Sequence, residues 1–403
     1  MRRGFSSVAL APLLLLVTAG TVLAQWNGEI EAWGENNYGQ CTVPEPNENF
    51  IAISTGGGHC LGLKNDGSIV AWGWNQYGQC SLPDPNTGFV AVSAGSKHSL
   101  GLRADGSIVA WGSNIYGQCD VPVPNSDFTA VSAGEYHSLG LKNDGTVVIW
   151  GDWQYGLPSP NENFTVISAG HIHNLALQED NSIVAWGAND YGQCNVPEPN
   201  TDFVSVSASD LGFGKDVGSF SLGLKESGTV IVWGMCYQGE DEVPSPNSGF
   251  IAVNAGASHC LGLRSDGSIA AWGRASEGQC DVPNPNSGFV AVSAGGCHSL
   301  CLREISTGVE DEGLTGNCLS IRSVTPNPFP ATTNITITLP SPGPVRLDVF
   351  DLAGRCVNAL VNQTLPVGNH TAAFDGTGLP PGVYLVRLAS GSECTTAKVV
   401  LVR

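Results

Sequence analysis

Phe89–Gly112 reads FVAVSAGSKHSLGLRADGSIVAWG, and the connector SNIYGQCDVPVPN follows before the pattern restarts at Phe128. Seven Trp-Gly pairs mark the copies, at Trp33, Trp72, Trp111, Trp150, Trp186, Trp233 and Trp272, with spacings of 39, 39, 39, 36, 47 and 39 residues. A fixed period in this range means supersecondary units that stack or close into a ring. Each copy holds three runs of strand character, here Phe89–Ser93, Ser99–Leu102 and Ile108–Trp111, in which Val, Ile, Leu and aromatics alternate with small or polar residues. Asp105-Gly106 parts the second and third runs. It predicts a type I′ hairpin turn, which needs positive φ at both central residues. Two closely spaced prolines in each connector exclude a central strand there.

A three-stranded sheet cannot bury both faces alone. Copies closed into a ring cover one another, which predicts an all-β fold, a seven-bladed β-propeller of three-stranded blades. A linear solenoid would need polar caps at its ends. The sequence points to closure instead. Asn27–Gly34 is a third strand with no first or second before it, and Phe289–Arg303 supplies a first and second with no third. The two fragments should complete one blade.

The recurring string AGxxHSLGLKxDGSIVAWGxNxYGQCxVP resembles the repeats of the regulator of chromosome condensation family. Its short three-strand form is most similar to the secreted bacterial propeller that inhibits β-lactamases. The resemblance covers residues 25–303 and implies a scaffold that binds proteins. Fold alone does not fix activity, because one fold hosts unrelated functions.

Met1–Ala24 reads as a secretory signal. Arg2 and Arg3 open it, Val8–Val17 is apolar, and Val22-Leu23-Ala24 is a small-residue cleavage site. No later stretch is long and apolar enough to span a bilayer as a helix. Between Gln25 and Gly313 there are 9 Lys plus Arg against 32 Asp plus Glu, a net charge of −23. That argues against nucleic acid, whose binding needs cationic contacts to phosphate. Residues 304–322 break the repeat with Gly, Thr, Ser and the acidic run Glu310-Asp311-Glu312, and read as a linker. Residues 323–403 hold six further apolar runs, as in a small sandwich. Pro326-Asn327-Pro328-Phe329, Val349–Arg355 and Gly382–Leu388 resemble the C-terminal sorting domain of type IX secretion substrates and the immunoglobulin-like fold of flagellar hook-capping proteins. By that resemblance the domain routes the chain to the outer-membrane surface.

His59, His98, His137, His173, His259 and His298 share one slot, with Phe220 in the remaining copy. A residue repeated in nearly every copy serves the copy, so these histidines, like the repeated tryptophans, read as structural. No metal site or cofactor is assigned. Cys41, Cys80, Cys119, Cys194 and Cys280 also share a slot and read as thiols filling a small apolar site. Cys356 and Cys394 are a pair within the sandwich that could bridge in an oxidising compartment. The chain has no nucleophile elbow, Walker loop or zinc-protease motif.

The positions that break the repeat are more informative. SDLGFGKDVGS, after Ala208, lengthens one loop. Tracing strand directions puts this loop on the same face as the Tyr-Gly segments that follow each Trp-Gly. That face gathers Tyr38, Trp74, Tyr77, Tyr116, Trp153, Tyr155 and Tyr191 with His171, Asp210, Phe213 and Lys215. Rigid aromatics on a concave rim are what interface hot spots use. The expected function is a secreted, monomeric, non-enzymatic protein that binds an extracellular or surface protein. A glycan-binding adhesin is the alternative. An enzyme on His171, Asp210, Lys215 and Asp216, with Glu240, Asp241 and Glu242 of the next connector, ranks below both. Nucleotide exchange on a GTPase rests on family analogy alone.

Overall fold

The computed structural model describes residues 28–152, 156–209, 219–304, 319–325, 331–350, 356–379, 382–390 and 393–401. The chain divides into two compact units, parting between Ser306 and Thr307.

In the first unit, β1 (Gly28–Gly34) precedes six successive sets of three strands. These are β2 (Phe50–Thr55), β3 (His59–Lys64) and β4 (Ile69–Gly73); β5 (Phe89–Ala94), β6 (His98–Arg103) and β7 (Ile108–Gly112); β8 (Phe128–Ala133), β9 (His137–Lys142) and β10 (Val147–Gly151). They continue with β11 (Phe164–Ala169), β12 (His173–Gln178) and β13 (Ile183–Gly187); β14 (Phe203–Ala208), β15 (Ser219–Lys225) and β16 (Val230–Met235); β17 (Phe250–Ala255), β18 (His259–Arg264) and β19 (Ile269–Gly273). Each set is an antiparallel sheet in sequence order. β20 (Phe289–Ala294) and β21 (His298–Glu304) lack a third strand of their own. β1 supplies it, pairing with β21 from Gly28↔Glu304 to Gly34↔His298. β1 also pairs with β2 at Gly28↔Phe50, so that among the described residues β20-β21-β1-β2-β3-β4 run as one six-stranded sheet, and the other five sets are three-stranded sheets.

Polar side chains stitch the first strands into a closed circle. Ser54 Oγ accepts from Ala94 N at 2.9 Å, Ser93 Oγ from Ala133 N at 3.0 Å, and the pattern runs on to Ser293 Oγ, which accepts from Thr55 N at 3.1 Å. β20 accordingly touches β2, just as β2 touches β5. The architecture is a β-propeller.

The repeat consensus has local reasons. Phe89 of the first strand lies on Gly101 of the second, where a Cβ would sit 2.6 Å from the ring. Gly112 of the Trp-Gly pair has φ +103°, and a Cβ there would meet Lys97 O and His98 Cα at 2.8 Å, so only glycine fits. Asn125, which ends the connector, accepts from Ile108 N and donates to Ile108 O, both at 2.8 Å, and so pins the outer strand edge.

The hairpin turn differs from the type I′ expectation. Gly106 has positive φ, but Asp105 does not. Gly106 N bonds Arg103 O, Arg103 N bonds Ser107 O, and the Asp105 carboxylate accepts from Ser107 N and Oγ. This is the three-residue loop with a left-handed glycine. The Asp-Ser bonds favour it over a two-residue turn.

The second unit has β22 (Ser320–Thr325), β23 (Thr332–Leu339), β24 (Gly343–Phe350), β25 (Cys356–Leu365), β26 (Gly368–Asp375), β27 (Gly382–Ser390) and β28 (Glu393–Leu401). They form sheets of order β22-β23-β26 and β25-β24-β27-β28. Ile335, Ile337, Leu339 and Phe374 of one meet Leu347, Val349, Val386, Leu388 and Val399 of the other in a single buried core. β22 begins inside the stretch read as linker, because Leu319, Ile321 and Val324 also pack on that core.

Candidate functional site

The repeated histidines and tryptophans join the copies. His59 Nε2 meets Ser99 Oγ, His98 meets Ser138, His173 meets Ser221 and His259 meets Ser299, each at 2.9 Å. His137 Nε2 meets Asn174 Oδ1 at 2.8 Å, and His298 Nε2 meets Cys60 Sγ at 3.2 Å. Burial holds all six neutral, with His59, His98, His173 and His259 lowered to about 3 and His137 and His298 to about 4. Trp33, Trp72, Trp111, Trp150, Trp233 and Trp272 each donate Nε1 to the carbonyl of Gln279, Gln40, Gln79, Gln118, Gln193 or Glu240, on the preceding connector. Among the described residues Trp186 Nε1 is buried without a partner. The connector before it is the short one that produces the spacing of 36, and it lacks the Gln-Cys pair.

Gly112 pairs with His98, and Gly151 with His137. The third strand therefore ends beside the loop that leads into the second strand. Connector starts and these AGxxH loops share one face, as the strand tracing expects. Ring contacts confirm this. Tyr38 and Trp74 have centroids 5.7 Å apart, Trp74 and Tyr77 are 5.2 Å apart edge to face, and Tyr116 and Tyr136 are 4.7 Å apart. Lys97 Nζ links the groups, 5.6 Å from the Tyr77 ring centroid and 5.9 Å from that of Tyr136. Tyr38, Tyr77 and Tyr116 keep 47%, 36% and 46% of their surface exposed, so the repeated tyrosines do not pack away under their connectors. Gly58 stands where the next two copies have Lys97 and Tyr136, and the connector beside it carries Trp74, whose backbone N–H bonds Gly58 O at 2.9 Å as Ser113 N bonds Lys97 O and Asp152 N bonds Tyr136 O. Tyr191 is 48% exposed and has no ring contact with another described residue.

His171 does not stand alone. Its Nε2 lies 2.6 Å from Oε2 of Glu135, a buried carboxylate on the neighbouring loop. Burial, and then the adjoining Glu135, raise the Tyr136 phenol well above its ordinary range, which keeps it protonated. Trp153, Tyr155, Asp210, Phe213, Lys215 and Asp216 lie outside the described residues.

Sequence reading missed Lys97, Glu135 and Tyr136. Their signal was present in the two variable positions of AGxxH, which are Gly-Gly, Ser-Lys, Glu-Tyr and His-Ile in the first four full copies.

Two expectations are corrected. Glu240 is no open catalytic carboxylate. It is buried in the slot that is Gln elsewhere, its Oε2 accepts from Gln238 N at 2.8 Å, and burial raises its pKa. The five repeated cysteines do not fill an apolar site. Each is half-buried with its thiol on a backbone carbonyl six residues earlier, as in Cys119 Sγ to Ser113 O at 3.2 Å. All ten cysteines whose side chains are described are unbridged, and the side chains of Cys356 and Cys394 lie outside that set. Among the described residues no group of three His, Cys, Asp or Glu could hold a metal, and no helix is long and apolar enough to cross a membrane.

Residues 50–79, 89–118, 128–156, 164–193 and 250–279 match the regulator of chromosome condensation repeat, and 323–402 match a secretion system C-terminal sorting domain. The chain is a propeller of regulator of chromosome condensation repeats with a type IX sorting tail. The tail indicates a secreted or cell-surface location. Solved structures with the propeller fold include Prp20p from Saccharomyces cerevisiae, at 19% identity over 71% of this chain and 93% of that one, with a TM-score of 0.57. The ectodomain of the receptor kinase CR4 from Physcomitrella patens is 21% identical over 68% of this chain and 76% of that one, TM-score 0.53. Human WBSCR16 is 17% identical over 69% and 99%, TM-score 0.52. These likenesses concern the fold alone. A search of curated protein sequences found no match.

Proposed function

We propose that this repeat propeller is a non-enzymatic binding protein held at, or released from, the outer-membrane surface, and that it docks a protein partner on the face bearing Tyr38, Trp74, Tyr77, Tyr116 and Tyr136. The contact between Trp74 and its two tyrosine neighbours carries this reading. Tyr and Trp give large contact area with few rotatable bonds, and here each ring is braced by the next, so little freedom is left to lose on binding. Trp74→Ala and Tyr77→Ala, made in the full chain, should abolish cross-linking to a surface protein of the native cell and leave the melting temperature unchanged. Cross-linking that survives both changes removes the reading.

A glycan partner is the second reading, since aromatic rings also stack on sugars. The ring angles favour protein. Trp74 and Tyr77 stand at 87°, and Tyr116 and Tyr136 at 57°, so the rings form an interlocked ridge and not a flat platform. Saturable binding on a glycan array would reverse this order.

A further inference from the structure

Lys97 differs from the other cations of the propeller among the described residues. Lys64, Arg103, Lys142, Lys225, Arg264 and Arg303 end the second strands, lie over the phenylalanine of their own copy, and donate to a proline carbonyl of the connector. Arg274 pairs with Glu277 at 3.6 Å. Lys97 is half-buried between two tyrosine rings and has no hydrogen bond or ion pair among the described residues. Glu135, on the neighbouring loop, lies against His171 and makes no ion pair with Lys97. From Gln25 to Ser306 the sequence has 9 Lys plus Arg against 29 Asp plus Glu, a net charge of −20, yet the centre of the aromatic ridge carries an ammonium group with no ion-pair partner among the described residues. Aromatic faces steady an ammonium group but leave its N–H donors unused.

We propose that Lys97 anchors a carboxylate on a loop of the partner protein, while an apolar side chain next to that carboxylate packs on Trp74 and Tyr77. This rests on the protein-docking reading and narrows it to a partner with an acidic residue beside an apolar one. The charge pattern selects that occupant. The net negative charge of the repeat region repels a broadly acidic protein, whereas one carboxylate placed on the ridge meets Lys97.

The test uses the full chain and a displayed library of disulfide-cyclised heptapeptides. The wild type should enrich Asp or Glu adjacent to Phe, Trp, Leu or Ile. Lys97→Glu should enrich Lys or Arg at that place. For a selected acidic peptide, Lys97→Met should weaken binding roughly tenfold and flatten its salt dependence. Selection without acidic enrichment, or affinity unchanged in Lys97→Met, overturns the proposal. So does a blank peptide selection accompanied by binding to uronate oligosaccharides. Loss of peptide binding in Trp74→Ala with no effect of Lys97→Met would sink the anchor and leave the docking face standing. Binding indifferent to Trp74→Ala would remove the face itself.

Discussion

Glu31 Oε1 and Arg303 Nε lie 2.7 Å apart across 272 residues of sequence, on the paired strands β1 and β21. The pair marks the seam where the two ends of the repeat array meet, but it is not what holds the seam. Both side chains are partly exposed, and Arg303 also donates to Pro285 O and Ser287 O. Ile30, on the same strand, is 2% exposed and packs with Phe50, Trp72, Leu300 and Leu302. Glu31→Ala should therefore change the unfolding free energy by less than about 1 kcal/mol. Ile30→Asp, which buries an unpaired carboxylate, should cost more than about 3 kcal/mol. Urea unfolding followed by tryptophan fluorescence checks both. Equal costs would mean that the ion pair, not the buried strand, fastens the ring.

The six buried histidines make the propeller acid-sensitive. Imidazoles held at about 3 to 4 in the folded state stay neutral there, while those of the unfolded chain protonate near ~6.5. Above that value they do not affect stability. Below it the unfolded state binds protons that the folded state refuses, so stability falls by about 1.4 kcal/mol per pH unit for each histidine, until the folded values are reached. Six together remove roughly 8 kcal/mol per pH unit, which exhausts the stability of a typical domain between about pH 5 and 6. His98→Gln should make the acid transition shallower by one proton. A native fluorescence signal that persists to about pH 4 would contradict the account.

Much of this architecture could be read from the chain, because repetition separates what serves every copy from what does not. Trp111, His98 and Gly112 recur, and each proves to join one copy to the next or to fit a backbone that admits only glycine. The missing third strand after Arg303 gave the closure through β1. The turn was misread because Asp105 works through its side chain on Ser107, which a two-residue turn pattern does not register. The face of the site was legible from strand direction. Its composition was only half legible. Tyr38 and Tyr77 lie in a visible motif, whereas Lys97, Glu135 and Tyr136 sit at variable positions whose importance comes from neighbours about 20 or more residues away in sequence. Glu240 looked reactive as a charge and is a glutamine substitute by its bonds.

The repeated cysteines should resist modification in the folded protein. Burial raises the thiols of Cys41, Cys80, Cys194 and Cys280 to about 11, and that of Cys119 to about 12. At pH 8 a thiol at about 11 is only ~0.1% thiolate, the reactive form, against roughly a quarter for a free cysteine. Labelling with iodoacetamide at pH 8, read by peptide mass spectrometry, should proceed about a hundredfold or more slowly at these sites than in urea. Rapid native labelling of all five would show that the thiols are not held against their carbonyls.

Trp186 and Trp150 are equivalent, buried indoles that differ in one bond. Trp150 Nε1 donates to Gln118 O at 2.9 Å, and Ser138 Oγ donates to the same oxygen. The connector before Trp186 is three residues shorter and has no Gln-Cys pair, and among the described residues Trp186 Nε1 and the Nδ2 of neighbouring Asn174 are buried without partners. Both tryptophan-to-phenylalanine changes lose similar ring volume. Only Trp150→Phe also loses a hydrogen bond, while Trp186→Phe deletes a donor that is already unsatisfied. Trp186→Phe should therefore be the milder change by roughly 1–3 kcal/mol in denaturant unfolding. If it costs as much as Trp150→Phe, the Trp186 donor has a partner in solution, and the short connector is not a point of weakness in the ring.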